Sequence, residues 1–397
     1  MAITLLIDLD DTLLETNLDV FVPAYYEALS SYLADVAPAK QLIAALQAGV
    51  GRMMPNADPS QTLQEVFEAE FYPRLGVEAA PLREKIMRFY REVYPSLGRI
   101  TRRREGAREL VDWARAAGHL VAIATDPLFP MIATAERVRW AGFDPAEFAL
   151  ISSFGDFHFT KSHPAYYAEM LGRLGWPDQP ALMAGDDSER DLLSAKRLGL
   201  STFRFVPNSG GEGSASGDLR TLRQWIEMHE SEIRAPELKS KEAILAVLQS
   251  TPAVLRGLTG GLTRADWERE PAPDEWAMIE LVCHLRDTER EVHALQIETL
   301  LATQDPFVAR PDAAYWAKQR RYHGEDGPTA LREFAAARMA CLERLNAAPA
   351  DAWSKPARHA IFGPTNFLEV IGFMAEHDRL HVQQAWRTLP PAAPPAS

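Results

Sequence analysis

The sequence predicts an α/β part, a parallel sheet with an all-helical insert, followed by an all-α four-helix bundle. Three observations predict it. Short apolar runs alternate with helical patterns through residues 98–230, which argues for a parallel sheet with helices on both faces. Residues 16–97 keep three- and four-residue apolar spacing throughout. After residue 240 strand patterns stop, and four long helical patterns take their place. At 397 residues the chain exceeds what one hydrophobic core serves, so several domains are expected.

Residues 3–7 (ITLLI) are aliphatic or β-branched and read as a buried strand. The insert follows, with stripes such as Tyr25, Leu29, Tyr32 and Leu33, or Leu63, Val66 and Phe67, broken at Pro38, Pro59 and Pro81. Helix 105–117 stops at Gly118; strand 119–124, helix 133–140, strand 148–152, helix 164–174, strand 181–184, helix 191–198 and strand 202–206 come next. The division is thus a core of residues 1–15 and 98–230 around an insert of residues 16–97. Residues 207–217, with four glycines and three serines, read as a flexible loop, and 219–229 as a closing helix. A linker at 231–240 leads to helices 241–258, 277–302, 329–346 and 367–388, a bundle domain of residues 241–389, and a disordered Pro/Ala tail at 390–397.

A net charge of −13 argues against a nucleic-acid surface, and the run Arg102 to Arg104 reads as a solvated stretch, so small molecules are the expected partners. Two cysteines, Cys283 and Cys341, form no disulfide framework and suit a reducing compartment. With an aspartate in its first strand and no apolar run of about eighteen residues, the chain is expected in the cytoplasm and off the membrane.

In an open α/β sheet ligands bind beyond the carboxyl ends of the strands. Four such ends are polar here: Asp8, Asp10 and Thr12; Thr125 and Asp126; Lys161; and Asp186, Asp187 and Asp191. Asp8, Asp10 and Asp11 crowd one strand end, where like charges repel unless a cation sits among them. Carboxylates with a lysine and a threonine suit magnesium and a phosphoryl group.

The motifs DLDDT, IATD, TKSHP and GDDSERD, in that order and each after a predicted strand, resemble the haloacid dehalogenase superfamily over residues 1–230. The resemblance implies a Rossmann-like sheet with residues 16–97 as a C1 cap. It implies Asp8 as nucleophile, Asp10 as general acid and base, and Thr125 and Lys161 on the phosphoryl group. Magnesium would be held by Asp8, the Asp10 backbone carbonyl and Asp186, with Asp187 and Asp191 orienting. Asp126 stands where asparagine is commoner, and Ser162 and His163 where a proline often follows the lysine. Pro127 and Pro130 imply a rigid loop. A dehalogenase needs neither an Asp10 acid nor a magnesium cluster, and a phosphonatase needs a cap lysine, for which only Lys40 and Lys85 are at hand. The residues favour phosphate ester hydrolysis, with a small phosphorylated metabolite as substrate.

In the bundle, Val370, Met374, His377, His381 and Ala385 form one stripe, and His284 shares another with Leu281, Thr288 and Val292. Three imidazoles on facing helices suit a divalent transition metal; hydrogen-bonded core histidines are the open alternative. DEWAMIELVCHLRDTEREV and HDRLHVQQ resemble the DinB-like four-helix metalloproteins over residues 240–390, which implies His284, His377 and His381 as ligands. Zinc or nickel is expected, with Glu280 or Asp378 orienting the rings. His293 falls half a turn away from His284, His323 and His359 fall in loops, and Cys283 serves packing. The alternative function is a non-enzymatic metabolite sensor or regulatory protein built on the same two folds, and whether the bundle catalyses a thiol-dependent transfer or forms a homodimer stays open.

Overall fold

The computed structural model describes residues 2–209, 215–273, 275–309 and 315–390. The expected tail therefore lies outside the described residues from 391 onward, as does the centre of the glycine-rich loop. The chain separates into two compact units, Met1–Ala57 with Gln61–Met170 and Pro177–Pro236, and Asp58–Ser60 with Leu171–Trp176 and Glu237–Ser397.

In the first unit the sheet is parallel, in the order Leu120–Ile123, Thr4–Ile7, Ala181–Gly185, Ser201–Phe205, Ser216–Gly217. Thr4–Ile7 is central, and Ile7 registers with both Ile123 and Ala184. Asp8, Thr125 and Asp186 consequently leave the sheet at one edge. The expected strand at 148–152 is reduced to a single bridge, Ile123 to Ile151. The Ser152 hydroxyl donates to the Thr125 carbonyl at 2.6 Å, which turns this segment into a support for the site instead of a regular edge strand. Ser216–Gly217, by contrast, adds a short edge strand where only a loop was expected.

The insert folds as four helices, Leu18–Tyr32, Ala39–Met53, Leu63–Leu75 and Ala79–Glu92, around Phe21, Leu29, Leu42, Phe71 and Phe89. Gly49 lets the second of these approach the third, since a Cβ there would run into Phe67.

In the second unit Lys241–Thr259, Met278–Ala302, Gly327–Ala347 and Phe367–Thr388 pack about Leu255, Ile279, Leu281, Phe334 and Ala385. Two features depart from four plain helices. Glu289–His293 is a π turn inside the second helix. A three-stranded sheet, ordered Gly363–Asn366, Pro356–His359, Phe307–Val308, corrects the all-helical reading. Its strands are at most four residues long, too short for periodicity to reveal.

Candidate functional site

At the edge of the parallel sheet Asp8 is buried, and Lys161 Nζ donates to its Oδ1 at 2.6 Å. Lys161 also pairs with Asp191, which is buried too. Thr12 donates to Asp8 Oδ2 at 3.1 Å and lies 3.4 Å from Asp186 Oδ1. Carboxylate oxygens of Asp8, Asp186 and Asp191 all fall within 4.8 Å of one another. Gly185 makes this possible, because a Cβ there would collide with the Asp191 carboxylate. Burial, with the Asp191 charge, pushes the Asp8 carboxyl well up against the pull of Lys161. For Lys161, burial alone would lower the ammonium, but Asp191 and Asp8 hold it raised. Asp186 is raised as well, by burial and then by Asp191. A hard cation would relieve this crowd of carboxylates, so the donor set fits magnesium.

The remaining motif residues take distinct positions. Asp10 accepts from Thr16 Oγ1 at 2.8 Å and Thr125 Oγ1 at 3.3 Å, and is paired with Arg137. Asp11, the third aspartate of the opening run, accepts from the backbone N–H of Thr16 at 3.0 Å and Asn17 at 2.8 Å, with its own φ at 61°. It builds the turn, so one of the three charges is answered by the backbone and not by a cation. Asp126 accepts from the Lys161 backbone N–H at 3.2 Å, the contact an asparagine oxygen would make, and burial raises its carboxyl. Asp187 caps the next helical turn, accepting from Glu189 N at 2.9 Å and Arg190 N at 2.8 Å. Tyr166 donates to the Thr125 carbonyl at 2.9 Å, and the buried pair His158 and Glu169, 2.7 Å apart, braces the chain before Lys161. Arg137 went unnoticed in the sequence. Its only signal is an arginine one turn after Ala133 on a face that proves buried.

In the second unit the Nε2 atoms of His284 and His381 stand 3.2 Å and 3.1 Å from His377 Nε2. Burial first, then the neighbouring imidazoles, lowers His284 to about 2 and His381 to about 3, and burial lowers His377. All three are therefore neutral near pH 7. His381 Nδ1–H donates to Gln384 Oε1 at 3.0 Å, which leaves its Nε2 lone pair facing inward. Nδ1 of His284 and of His377 is buried without a hydrogen-bond partner. Three converging neutral nitrogens fit a borderline-soft divalent metal.

Asp378 lies 3.9 Å from His377 Nδ1 and is fully buried against Arg338, which also holds Glu289 at 2.8 Å. Glu280 instead accepts from the Ala277 backbone at 3.1 Å and stands 3.2 Å from His323, away from His284. Two further histidines correct the sequence reading. The π turn absorbs one extra residue, so by its end the helix is set back by about 100° from plain α-helical phase, and the His293 ring lies 5.6 Å from that of His377, while its Nδ1 lies 2.9 Å from Glu289. His359 is buried in a strand and lines the same cavity, of about 710 Å³, as His284, His377 and His381.

Residues 4–199 match the haloacid dehalogenase-like hydrolases, and residues 248–385 match the DinB superfamily. The chain thus joins a haloacid dehalogenase-like hydrolase region to a DinB-like region. A HAD phosphatase from Thermococcus onnurineus is 20% identical, covering 59% of this chain and 99% of its own, with a TM-score of 0.37. A 2-haloacid dehalogenase from Pseudomonas syringae pv. Tomato DC3000 is 17% identical over 57% and 99%, with a TM-score of 0.42. YfiT from Bacillus subtilis, described as having an unusual four-helix bundle topology, is 16% identical over 38% and 87%, with a TM-score of 0.35. No curated protein matches the chain. Among the described residues no helix is long and apolar enough to cross a membrane.

Proposed function

We propose that the first unit is a magnesium-dependent phosphatase of small phosphorylated metabolites working through an aspartyl-phosphate, and that the bundle carries a separate divalent metal on His284, His377 and His381. The observation that carries the first reading is the buried Asp8 held at 2.6 Å from Lys161, with Asp186 and Asp191 beside it and Thr125 just past the end of the neighbouring strand. An Asp8 carboxylate oxygen attacks phosphorus, and the bond from phosphorus to the leaving oxygen breaks as Asp10 gives that oxygen a proton. Water then attacks the phosphorus of the aspartyl-phosphate, Asp10 takes its proton, and phosphate leaves with Asp8 restored. Lys161 and the Thr125 hydroxyl hold the transferring oxygens. Magnesium, bound by Asp8, Asp186 and the Asp10 carbonyl with Asp191 in reach, would supply charge neutralisation on those oxygens. Arg137 positions Asp10. Dehalogenation would leave this apparatus without a use, and a phosphonatase lysine finds no candidate: Lys40 is exposed, and Lys85 is bonded to Asp35 at 2.5 Å outside the cap cavity.

A panel of phosphate esters assayed with and without magnesium tests the reading. Turnover that needs magnesium, and that Asp8→Asn lowers by about four orders of magnitude with the fold intact, is the expected result. No turnover across the panel would favour a metabolite sensor built on the same folds.

A further inference from the structure

The four cap helices and the core loops enclose a cavity of about 680 Å³ within the first unit. Packed interiors hold few voids larger than one water, so a space of this size is a binding volume, in the range of small-molecule pockets. Its walls are mostly apolar and aromatic: Tyr26, Val50, Phe67, Phe71 and Met87 from the cap, and Phe129 from the loop after Asp126. Several of these, Tyr26, Val50, Phe67 and Met87 among them, are only partly buried, an arrangement that disfavours an aqueous filling. Several polar groups on the wall are turned on one another. Arg83 Nε donates to Glu68 at 3.0 Å, Ser153 Oγ to Asp156 at 2.7 Å, and the hydroxyls of Tyr25 and Tyr90 are hydrogen-bonded at 2.8 Å.

The cavity is continuous in chain and contact with the candidate phosphoryl site. Phe129, three residues past Asp126, has the Arg137 guanidinium 4.7 Å from its ring centroid, and Arg137 is the partner of Asp10. The Phe129 carbonyl accepts from Phe154 N at 3.0 Å, which fastens the two core segments that line the cavity, one following Thr125 and the other following Ser152. Phe129 also meets Tyr25 edge-on, with centroids 5.3 Å apart. The segment Leu128 to Pro130 thus lines the cavity on one side and, through Phe129, touches the Arg137 that pairs with Asp10.

Resting on the phosphatase reading, we propose that this cavity receives the leaving group, and that the substrate class is phosphate monoesters of alcohols with a large apolar, aromatic-sized body. An aromatic guest would meet the stacked Phe67 and Phe71, whose centroids are 4.9 Å apart, and an apolar body would leave the wall's ion pair undisturbed. A sugar or second phosphate would have to break pairs already made.

The test compares 2-(1-naphthyl)ethyl phosphate with glycerol 3-phosphate, both primary alkyl esters, so intrinsic reactivity is matched. In the parent, kcat/KM should favour the naphthyl ester by about 10- to 100-fold. Val50→Trp, which fills the cavity, and Met87→Lys, which charges its wall, should each collapse that ratio about tenfold or more, mainly through KM. Far-ultraviolet dichroism and thermal unfolding identify which variants are folded. Calorimetric binding of 2-(1-naphthyl)ethanol reads the cavity without catalysis. Binding that Val50→Trp abolishes, with no ester turned over, would remove the phosphatase reading and leave the cavity's preference standing. Equal or greater efficiency on glycerol 3-phosphate, or a ratio that neither folded variant moves, would overturn the inference, as would no binding of the alcohol.

Discussion

At the edge of the parallel sheet Asp8 and Asp191 both close on Lys161, whereas in the bundle three uncharged imidazoles meet while Glu289 and Asp378 stand one layer behind, held by Arg338. The first cluster keeps its charges at the strand ends and balances them there. The second keeps its imidazoles neutral by burial and places the balanced charges in a buried brace. Oxygen donors with a lysine suit a hard cation and a phosphoryl group; neutral nitrogens suit a transition metal. The two regions would therefore respond differently to loss of charge, loss of metal and change of pH.

The brace is the sharpest place to break the comparison. Arg338→Met would leave Asp378 buried without its cation and Glu289 with only His293 beside it, and we expect a loss of about 3–5 kcal/mol in the bundle, read by chemical denaturation. An unchanged midpoint would mean that the brace carries little of the bundle's stability. Zinc or nickel comes next. At about a hundredfold over its dissociation constant, either metal should stabilise the metal-free protein by about 2.7 kcal/mol. His377→Ala with His381→Ala should remove that shift, and a parent that gains nothing would return the histidines to a packing role.

The pH response is smaller and has a definite sign. His284 and His381 are lowered by burial to about 2 and about 3, below the ordinary value of about 6.5 that they regain on unfolding. The unfolded chain therefore binds more protons below about 6.5, and stability falls as pH drops through that window, by up to about 1.4 kcal/mol per unit for each histidine. Denaturation of the metal-free protein between pH 7.5 and 5 should show a steeper decline for the parent than for His381→Asn; equal slopes would contradict the buried, neutral assignment. Last, burial pushes Cys283 up to about 12 and raises Cys341 as well, so neither thiol ionises near pH 8. A disulfide reagent should label neither in the native protein and both after denaturation. Rapid native labelling of Cys283 would instead reopen a thiol role in the bundle.

The sequence by itself determined the alternation that makes the α/β sheet, the helical insert, the four long bundle helices and the strand-end positions of Asp8, Thr125 and Asp186. These are local patterns: a buried strand and a helical stripe declare themselves within a few residues, and parallel strands bring their carboxyl ends together whatever lies between. The pairing of His377 with His381 is of the same kind, four residues apart on one helix. Tertiary structure decided the rest. Arg137 reaches Asp10 across 127 positions of chain, which no spacing rule encodes. Asp11 belongs to a turn because its backbone is left-handed, and His293 faces the cavity of the three imidazoles because one π turn shifts the helical phase. His359 joins that cavity through a strand of four residues, too short to carry a period. The cap cavity, finally, is a property of how helices with ordinary apolar stripes meet, since a stripe that lines a pocket and a stripe that fills a core are written in the same residues.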